Sequence, residues 1–426
     1  MNVYDASVIR IKNVFDEFEN VYVSFSGGKD SGVLLNLAIK VLREYFPNRK
    51  LGVFHIDYEA QYQMTTDYVM NVLYSNTDIL DVYHICLPIK AQCATSMHQA
   101  WWIPWENSKK DIWVRSIPSN SINELNQSFD FWKPGMWDYE FQSKFSSWLN
   151  SKYNFKSTAC LVGIRTQESL NRWRAIHSDK RTKLFKSVTW SKKIVDSVYN
   201  FYPIYDWKTE DIWTANALNN WEYNKVYDLY YLAGIPLEKM RVASPFNDAA
   251  QDSLKWYRAI DPDNWAKLVG RVNGVNFTGI YGGTTAMGWH SIKKPDGHTW
   301  ESYMHFLLST LPEETKARYL EKLSTSIKFW REKGGVLSTD TINKLKQSGV
   351  EFKLAGKTNY KTEKFAVRME YLDEIDINEA KEIPTFKRMC ISIMKNDHLC
   401  KYMGFSQTKT ELARRQNIIE KYKSLL

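Results

Sequence analysis

The segment Val21–Gly32 is the feature that most constrains the fold of this 426-residue chain. It reads VYVSFSGGKDSG, so a β-rich apolar run ends at a glycine pair, and apolar residues at helical spacing follow. This order predicts a strand, a tight loop and a helix. Gly27 and Gly28 let backbone N–H groups approach a ligand closely, and the helix start adds unpaired N–H groups and a positive dipole end. The segment therefore predicts an anion site.

The centre of this segment, Ser26–Ser31, is not a Walker A loop, because Val23 and Asp30 stand where that loop has Gly and Ser or Thr. It resembles the PP-loop of the ATP pyrophosphatases. The resemblance implies a grip on the β,γ-pyrophosphate of ATP and cleavage between the α and β phosphates. An ordinary glycine turn before a helix is the alternative. The residues implied to hold pyrophosphate are Ser26, Gly27, Gly28, Lys29 and Ser31.

Strand and helix patterns alternate beyond the loop, with Leu51–Asp57 and Leu80–Leu87 as buried strands. Alternation predicts an α/β fold with a doubly wound, mostly parallel sheet and ligands at the carboxyl ends of the strands. The resemblance implies the adenine nucleotide alpha hydrolase-like version of this fold. Asp57 closes the second strand, where the resemblance implies a nucleotide contact near the ribose or metal. A helix or turn cap is the alternative for Asp57, and Glu59 is a second candidate beside it.

The segment Ala159–Arg172 predicts a second anion contact, because an apolar strand again ends in a glycine, Gly163, before a charged helix. Its Gly-x-Arg, Glu-Ser and second Arg are similar to phosphoadenosine phosphosulfate reductase and the small subunit of ATP sulfurylase. The resemblance implies that Arg165, and after it Arg172, binds phosphate or sulfate, since a guanidinium offers two donors. It also implies that Gly163 contacts the nucleotide. The alternative is an arginine paired with Glu168 on a helix surface.

The resemblance covers about residues 10–235 and includes a Pro-Ile, Trp and Asp-Ile-Trp run at 203–213. The chain lacks the C-terminal Glu-Cys-Gly-type tail of the reductases, so reduction of a sulfonucleotide is not expected. What the resemblance still implies is ATP and Mg²⁺ as cofactors and transfer of AMP to an acceptor that is sulfur- or nucleic-acid-linked. The implied catalytic residues are Lys29, Asp30 and Arg165, with Asp30 as the Mg²⁺ ligand.

Length and composition predict two domains. We expect a PP-loop domain over 1–235, with a tryptophan-rich insertion at about 99–150, and a mainly helical domain over 236–426. The tryptophans of the insertion either stack on a base or cover a pocket, or they form an aromatic mini-core. A later group of basic residues either extends the site or lies on a solvated surface: Arg271, His290, Lys293 and Lys294.

The net charge and the cysteines of the chain indicate its binding partners and its cellular compartment. The net charge is +9, and residues 151–200 carry eleven Lys and Arg against three acidic residues. This basic segment predicts nucleic acid or a nucleotide as partner, or else a solvated face. Five scattered cysteines predict reduced thiols, and the lack of a leader or a membrane-length apolar run predicts a cytoplasmic protein. Zinc is not expected at Cys86, Cys93 and His98, because no Cys-x-x-Cys pair is present.

A PP-loop domain of this type with a tryptophan-rich extension also resembles a bacterial branch named for the immunoglobulin-binding regulator. That resemblance implies a ParB-like protein partner and a role in gene expression. Two functions therefore stay open. One is an enzyme that cleaves ATP, and the other is a nucleotide-binding regulatory module with little or no turnover.

Overall fold

The computed structural model divides the chain into two compact units. The first comprises Met1–Gln92 and Trp101–Val272, and the second comprises Cys93–Ala100 and Asn273–Leu426. Residues 236–272 therefore pack with the first unit, beyond the boundary expected at residue 235. The structure describes residues 2–96, 99–169, 172–173, 176, 184–242, 244–247, 254–275, 294–357, 364–376 and 383–405.

The strands of the first unit build a sheet with the predicted alternation. In chain order they are β1 (Asn20–Ser24), β2 (Leu51–Ile56), β3 (Leu80–Cys86), β4 (Ala91–Gln92), β5 (Trp101–Trp102), β6 (Ile122–Asn123), β7 (Thr158–Val162), β8 (Ser191–Val195) and β9 (Val198–Phe201). In the described residues the main sheet has seven strands in the order β6-β3-β2-β1-β7-β9-β8. Neighbours pair in parallel except β8 with β9. This confirms the doubly wound, mostly parallel α/β fold.

The helices of the first unit follow the strands and cover the sheet. They are α1 (Val3–Glu17), α2 (Lys29–Tyr45), α3 (Gln63–Tyr74), α4 (Asp138–Lys152), α5 (Thr209–Leu218), α6 (Val226–Leu232), α7 (Leu254–Ile260) and α8 (Pro262–Arg271). Short 3₁₀ turns lie at Asn107–Ile112, Thr166–Glu168 and Leu237–Lys239. The helix α2 begins directly after the glycine loop, as predicted.

Two apolar clusters sandwich the main sheet. Alternate residues of β1 enter opposite clusters, because successive strand side chains point to opposite faces. Val21 and Val23 pack in a cluster with α1 and α2, whereas Tyr22 packs in the other. The sheet is thus buried on both sides, as a parallel sheet requires, and its carboxyl edge carries the loops.

The tryptophan-rich segment 99–150 is only partly an insertion. Its last part forms α4, the crossover helix that a parallel connection into β7 needs, and α4 packs Phe145 against Tyr22 and Phe54 of the sheet. Residues 138–150 therefore belong to the α/β core. Phe129 and Phe141 complete an aromatic cluster there, which favours the mini-core interpretation of this segment.

The second unit is rich in helices, and it also contains a small sheet that the sequence does not predict. Its helices are α9 (Trp300–Ser309), α10 (Glu313–Glu332), α11 (Thr339–Gln347) and α12 (Phe386–Met394), followed by a 3₁₀ turn at Lys401–Met403. Its strands are β10 (Gly335–Ser338), β11 (Lys353–Lys357) and β12 (Lys364–Arg368), which pair antiparallel in the order β10-β12-β11.

The cysteines agree with the reduced state expected from the sequence, because all five are free and buried. Cys86 belongs to the first unit and Cys93 to the second, while His98 lies outside the described residues. Among the helices that the structure describes, none is long and apolar enough to cross a membrane.

Candidate functional site

The loop between β1 and α2 is fixed by its two serine side chains. The backbone N–H of Ser26 donates to Oγ of Ser31 over 3.1 Å, and the two hydroxyl oxygens are 3.0 Å apart. Oγ of Ser31 also donates to the carbonyl oxygen of Gly28 over 3.1 Å. Gly27 has a φ of +76°, and a Cβ there would lie 2.7 Å from Val69. The turn therefore requires glycine.

The side chain of Lys29 is buried at the start of α2, with 5% exposure. Its Nζ donates to the carbonyl oxygen of Met240 over 2.9 Å and lies 3.4 Å from Oδ2 of Asp30. Met240 lies beyond residue 235, so this contact helps to explain why the segment 236–272 packs with the first unit.

Asp30 joins the loop to Arg165. Nε of Arg165 donates to Oδ1 of Asp30, while Lys29 faces the other carboxylate oxygen. Arg165 is buried, and its guanidinium also donates to the hydroxyl of Thr209 over 3.3 Å. The structure thus brings together Lys29, Asp30 and Arg165, the three residues that the resemblance implies are catalytic. Two cations and one carboxylate at a helix N-terminus leave a net positive field there.

Gly163 allows the end of β7 to approach the first turn of α2. A Cβ at Gly163 would lie 3.0 Å from the backbone nitrogen of Ser31 and 3.1 Å from the carbonyl carbon of Asp30. This approach positions Arg165, two residues later, against Asp30. The structure therefore gives Gly163 a packing role beside the loop, and its contact with a nucleotide stays a prediction.

Two residues near α6 hold the loop from outside, and the sequence reasoning missed both. Asn224 donates from Nδ2 to the carbonyl oxygen of Gly27 over 3.1 Å and to the hydroxyl of Thr65 over 2.8 Å. The hydroxyl of Tyr227 accepts the backbone N–H of Lys29 over 3.0 Å. The residues in these contacts are 159 to 198 positions apart along the chain, so no local pattern points to them.

Asp57 lies at the carboxyl end of β2, as predicted, in a buried network. His84 lies with Nε2 at 3.0 Å from Oδ2, and Arg115 donates to Oδ1. Burial alone would raise the pKa of the Asp57 carboxyl, but the charge of Arg115 and the contact with His84 outweigh it and hold that pKa well below its usual range. The carboxylate is therefore ionised and its oxygens are engaged. Its role as a nucleotide ligand stays a prediction.

Glu59, the second candidate at this strand end, is fully buried in an ion pair. Arg271 donates to its two oxygens over 2.8 and 3.0 Å, and the backbone N–H groups of Trp105 and Val114 donate to them as well. Arg271 therefore does not lie on a solvated surface. Glu59 ties the segment after β5 and the helix α8 to the strand edge.

Arg172 does not share the buried position of Arg165 beside Asp30. Its side chain is exposed, and its Nε lies 3.5 Å from Oε2 of Glu168. This is the surface ion pair that the sequence leaves open as the alternative. Binding of a nucleotide by Arg172 stays a prediction.

The basic residues that the structure describes in segment 151–200 do not all lie on the surface. Arg165 is buried in the site, Lys186 pairs with Glu17, and Lys193 pairs with Asp196. Several of its basic residues lie outside the described residues: Arg174, Lys180, Arg181 and Lys183. Nucleic-acid binding by this segment stays a prediction.

A cavity of about 770 Å³ lies beside the carboxyl ends of β3 and β6. Arg115 connects it to Asp57, since this arginine lines the cavity and contacts the carboxylate. Two tryptophans and several cations stand in its wall. The lining residues are Cys86, Pro88, Trp105, Asn107, Lys110, Trp113, Val114, Arg115, Ser116, Ile117, Asn123, Glu124, Leu125 and Lys267.

Two family models match consecutive parts of the chain. The phosphoadenosine phosphosulfate reductase domain matches residues 20–101 and 114–233, and DUF3440, a domain of unknown function, matches residues 234–414. The first match includes both predicted anion segments, and its gap at 102–113 lies in the tryptophan-rich segment. The two matches meet at 233 and 234, whereas the compact units divide after Val272.

Solved structures similar to this chain include two nucleotide-related enzymes. One is phosphoadenylyl-sulfate reductase from Candida auris in a phosphate complex, with a TM-score of 0.31 and 13% identity over 57% of this chain and 88% of that one. Another is FMN adenylyltransferase from Candida glabrata with FMN and the ATP analogue AMPCPP. It has a TM-score of 0.32 and 14% identity over 53% of this chain and 58% of that one.

A relative in sequence extends over nearly the whole chain. The uncharacterized protein YbdN of Escherichia coli (strain K12) is 32% identical over 421 residues, which cover 98% of this chain and 94% of YbdN. The chain therefore belongs to the family of YbdN, and it carries a phosphoadenosine phosphosulfate reductase-like domain.

Proposed function

We propose that the chain binds ATP at Ser26–Ser31, cleaves it between the α and β phosphates and passes AMP to an acceptor. The observation that carries this proposal is the meeting of Lys29 and Arg165 at Asp30, in the first turn of α2. A pyrophosphate at this helix start would face backbone N–H groups, the positive dipole end and two cations. The reductase-like domain supports the proposal, because the substrate in that family's name is an adenine nucleotide.

The proposed roles follow from these positions. Arg165 offsets the charge that develops on the phosphates when the acceptor attacks the α phosphorus. That attack forms a bond between the acceptor and the α phosphorus and breaks the bond from this phosphorus to the oxygen that leads to the β phosphate, so pyrophosphate leaves. Positioning and electrostatics supply most of such catalysis. The residues proposed to hold pyrophosphate are Ser26, Gly27, Gly28, Lys29 and Ser31.

Asp30 is the residue proposed to hold Mg²⁺. Asp30 follows the same loop as Ser26 and directly precedes Ser31, and oxygen donors of this kind fit Mg²⁺, which typically takes one or two carboxylates together with substrate phosphates. The ion would neutralise part of the negative charge on the phosphates of ATP. Asp57 and Gly163 are proposed to contact the nucleotide, and Arg172 would do so by exchanging its partner Glu168 for a phosphate.

The proposed acceptor is sulfur- or nucleic-acid-linked, and the basic segment 151–200 is the proposed contact for a nucleic acid. The sequence also leaves open a regulatory module that acts with a ParB-like partner. The two functions differ in turnover, because the regulatory module binds nucleotide with little or no release of pyrophosphate.

The experiment measures ATP binding and pyrophosphate release by the full-length chain and by Lys29→Ala. We expect Lys29→Ala to weaken binding by about tenfold or more, since a charge-assisted contact contributes roughly 1.5–3 kcal/mol, and to lower pyrophosphate release in parallel. The matched control is Lys40→Ala, which removes an exposed lysine of the same helix. Equal binding and equal release by wild type and Lys29→Ala would contradict the proposal, and binding without release would favour the regulatory module.

A further inference from the structure

Four side chains with metal-binding atoms lie on one face of the neighbouring strands β2 and β3. His55 lies directly opposite His84 in the parallel pairing. Residues two apart on a strand share a face, so Asp57 and Cys86 lie on the same face as the two histidines. The backbone N–H of Asp57 donates to the carbonyl oxygen of Ile85 over 2.9 Å, so the pairing of the two strands extends to this position. We call the set the four-donor cluster: His55, Asp57, His84 and Cys86.

The distances from His84 to Asp57 and to Cys86 are close to those between donors around a single ion. Nε2 of His84 lies 3.0 Å from Oδ2 of Asp57 and 3.8 Å from Sγ of Cys86. The ligand atoms of His55, Asp57 and His84 lie within 4.8 Å of one another. Donors that bind one zinc ion tetrahedrally, at about 2.0–2.3 Å, lie roughly 3.3–3.7 Å apart. The separations of Nε2 of His84 from Asp57 and from Cys86 bracket that range, and Cys86 joins the other three donors through His84.

Both histidines are already oriented through their other ring nitrogen. Nδ1 of His55 lies 2.8 Å from the carbonyl oxygen of Phe25, and Nδ1 of His84 lies 3.1 Å from the hydroxyl of Tyr74. Histidines that bind a metal usually hold their second nitrogen in this way. Nε2 of each ring is therefore the atom that would bind an ion, and in His84 this atom already faces the other donors, Asp57 and Cys86.

The charges around the cluster suit a cation despite the nearby Arg115. Arg115 contacts Oδ1 of Asp57, whereas Oδ2 faces His84. The oxygen that would bind the ion is therefore not the one that Arg115 contacts. Neutral imidazole and ionised carboxylate are the forms that bind metals.

We propose that the four-donor cluster binds one transition-metal ion, and that zinc is the ion its nitrogen, oxygen and sulfur donors fit best. All four residues are buried, as in a closed structural site. Coordination by Cys86 replaces the thiol proton with the metal, and the proton passes to solvent. Cys86 also lines the cavity of about 770 Å³, which gives the ion a route of entry. A bound ion would tie together the carboxyl ends of β2 and β3.

The test uses Co²⁺ with the full-length chain after treatment with a chelator. A thiolate bound to Co²⁺ gives a charge-transfer absorption band in the near ultraviolet, which an oxygen-only Mg²⁺ site at Asp30 does not give. We expect one Co²⁺ per chain with this band in the wild type, and Zn²⁺ should displace it. Cys86→Ser should lose the band and bind the metal at least about tenfold more weakly. The control is Cys160→Ser, which changes another buried cysteine of the same sheet and should keep the band.

The proposal is overturned if the folded wild type binds no Co²⁺, if the band survives in Cys86→Ser, or if Cys160→Ser removes it. His84→Asn provides a second variant in case Cys86→Ser does not fold, as judged by circular dichroism. This variant should keep the thiol and still lose at least about tenfold in affinity. Unchanged affinity in His84→Asn also overturns the proposal. Lys29→Ala should bind Co²⁺ like the wild type, so failure of the metal site is distinguishable from failure of the ATP site.

Discussion

Gly163 lies so close to Ser31 that a Cβ on the glycine would stand 3.0 Å from the backbone nitrogen of the serine. The neighbouring atoms are backbone atoms of α2, which cannot rotate away as a flexible side chain can. This junction between β7 and α2 sets the position of Arg165 against Asp30. The geometry of the charged site therefore depends on the absence of a side chain at Gly163.

We expect Gly163→Ala to weaken nucleotide binding by about tenfold, because the added methyl group must push β7 away from the first turn of α2. Overpacking of this kind costs roughly 1–3 kcal/mol. The measurement is ATP affinity together with the free energy of unfolding. Gly270→Ala is the matched control, since a Cβ there meets no atom within 4 Å and should leave affinity unchanged. Equal affinities in the two variants would contradict this account of Gly163.

Tyr227→Phe tests the support that the loop receives from α6. The change removes the hydroxyl that accepts the backbone N–H of Lys29, and a lost hydrogen bond of this kind costs about 1 kcal/mol. We expect faster amide hydrogen exchange in Ser26–Ser31 and weaker ATP binding. Tyr231→Phe, at an exposed position of the same helix, should change neither quantity. If exchange in the loop stays at the wild-type rate, the hydroxyl does not hold the loop.

The loop itself could be predicted because its signal is local. The glycine pair, the small hydroxyl residues and the helical spacing are consecutive in Val21–Gly32. The position of Arg165 near the loop could also be predicted. The strand before Arg165 ends at a glycine, like the strand before the loop, and parallel strands bring their carboxyl ends to one edge of the sheet. The strands β2 and β3 matched their predicted ranges to within a residue.

The rest of the site depends on partners that are distant in the sequence. Arg271 pairs with Glu59 across 212 positions, and no local pattern distinguishes it from a solvated arginine. The four-donor cluster likewise arises from the register of β2 against β3 and not from Cys-x-x-Cys spacing. The sheet of the second unit was missed because short strands such as KLAGK in β11 carry little β-rich pattern, so strand pairing decides their structure.

Glu59→Gln tests the buried ion pair that joins β2 to α8. The substitution leaves the guanidinium of Arg271 buried without its counter-charge, and breaking such a pair costs about 3–5 kcal/mol. Urea unfolding should show this loss, and Glu59→Gln combined with Arg271→Met should recover part of it. The exposed pair Lys12 and Asp16 is the control, because Asp16→Asn should cost under about 1 kcal/mol. If Glu59→Gln lowers the free energy of unfolding by as little as Asp16→Asn does, the prediction is contradicted.

His398 should make the stability of the second unit depend on pH. Its ring is buried and stacks on Tyr319, its Nε2 lies 2.9 Å from the carbonyl oxygen of Ser96, and in the described part of the chain its Nδ1 has no hydrogen-bond partner. Burial lowers the pKa of His398 and the charge of Arg318 lowers it further, while the contact with Ser96 opposes both.

Because the folded pKa of His398 is lower than the unfolded value of about 6.5, the unfolded chain binds more protons as the pH falls below that value. The contribution of His398 to stability is therefore present above about pH 6.5 and is lost as the pH falls toward the folded pKa. The measurement is thermal unfolding at about pH 7.5 and about pH 5.5 for wild type and His398→Gln. The wild type should lose more stability than the variant between these two values, and equal losses would show that His398 does not carry this dependence.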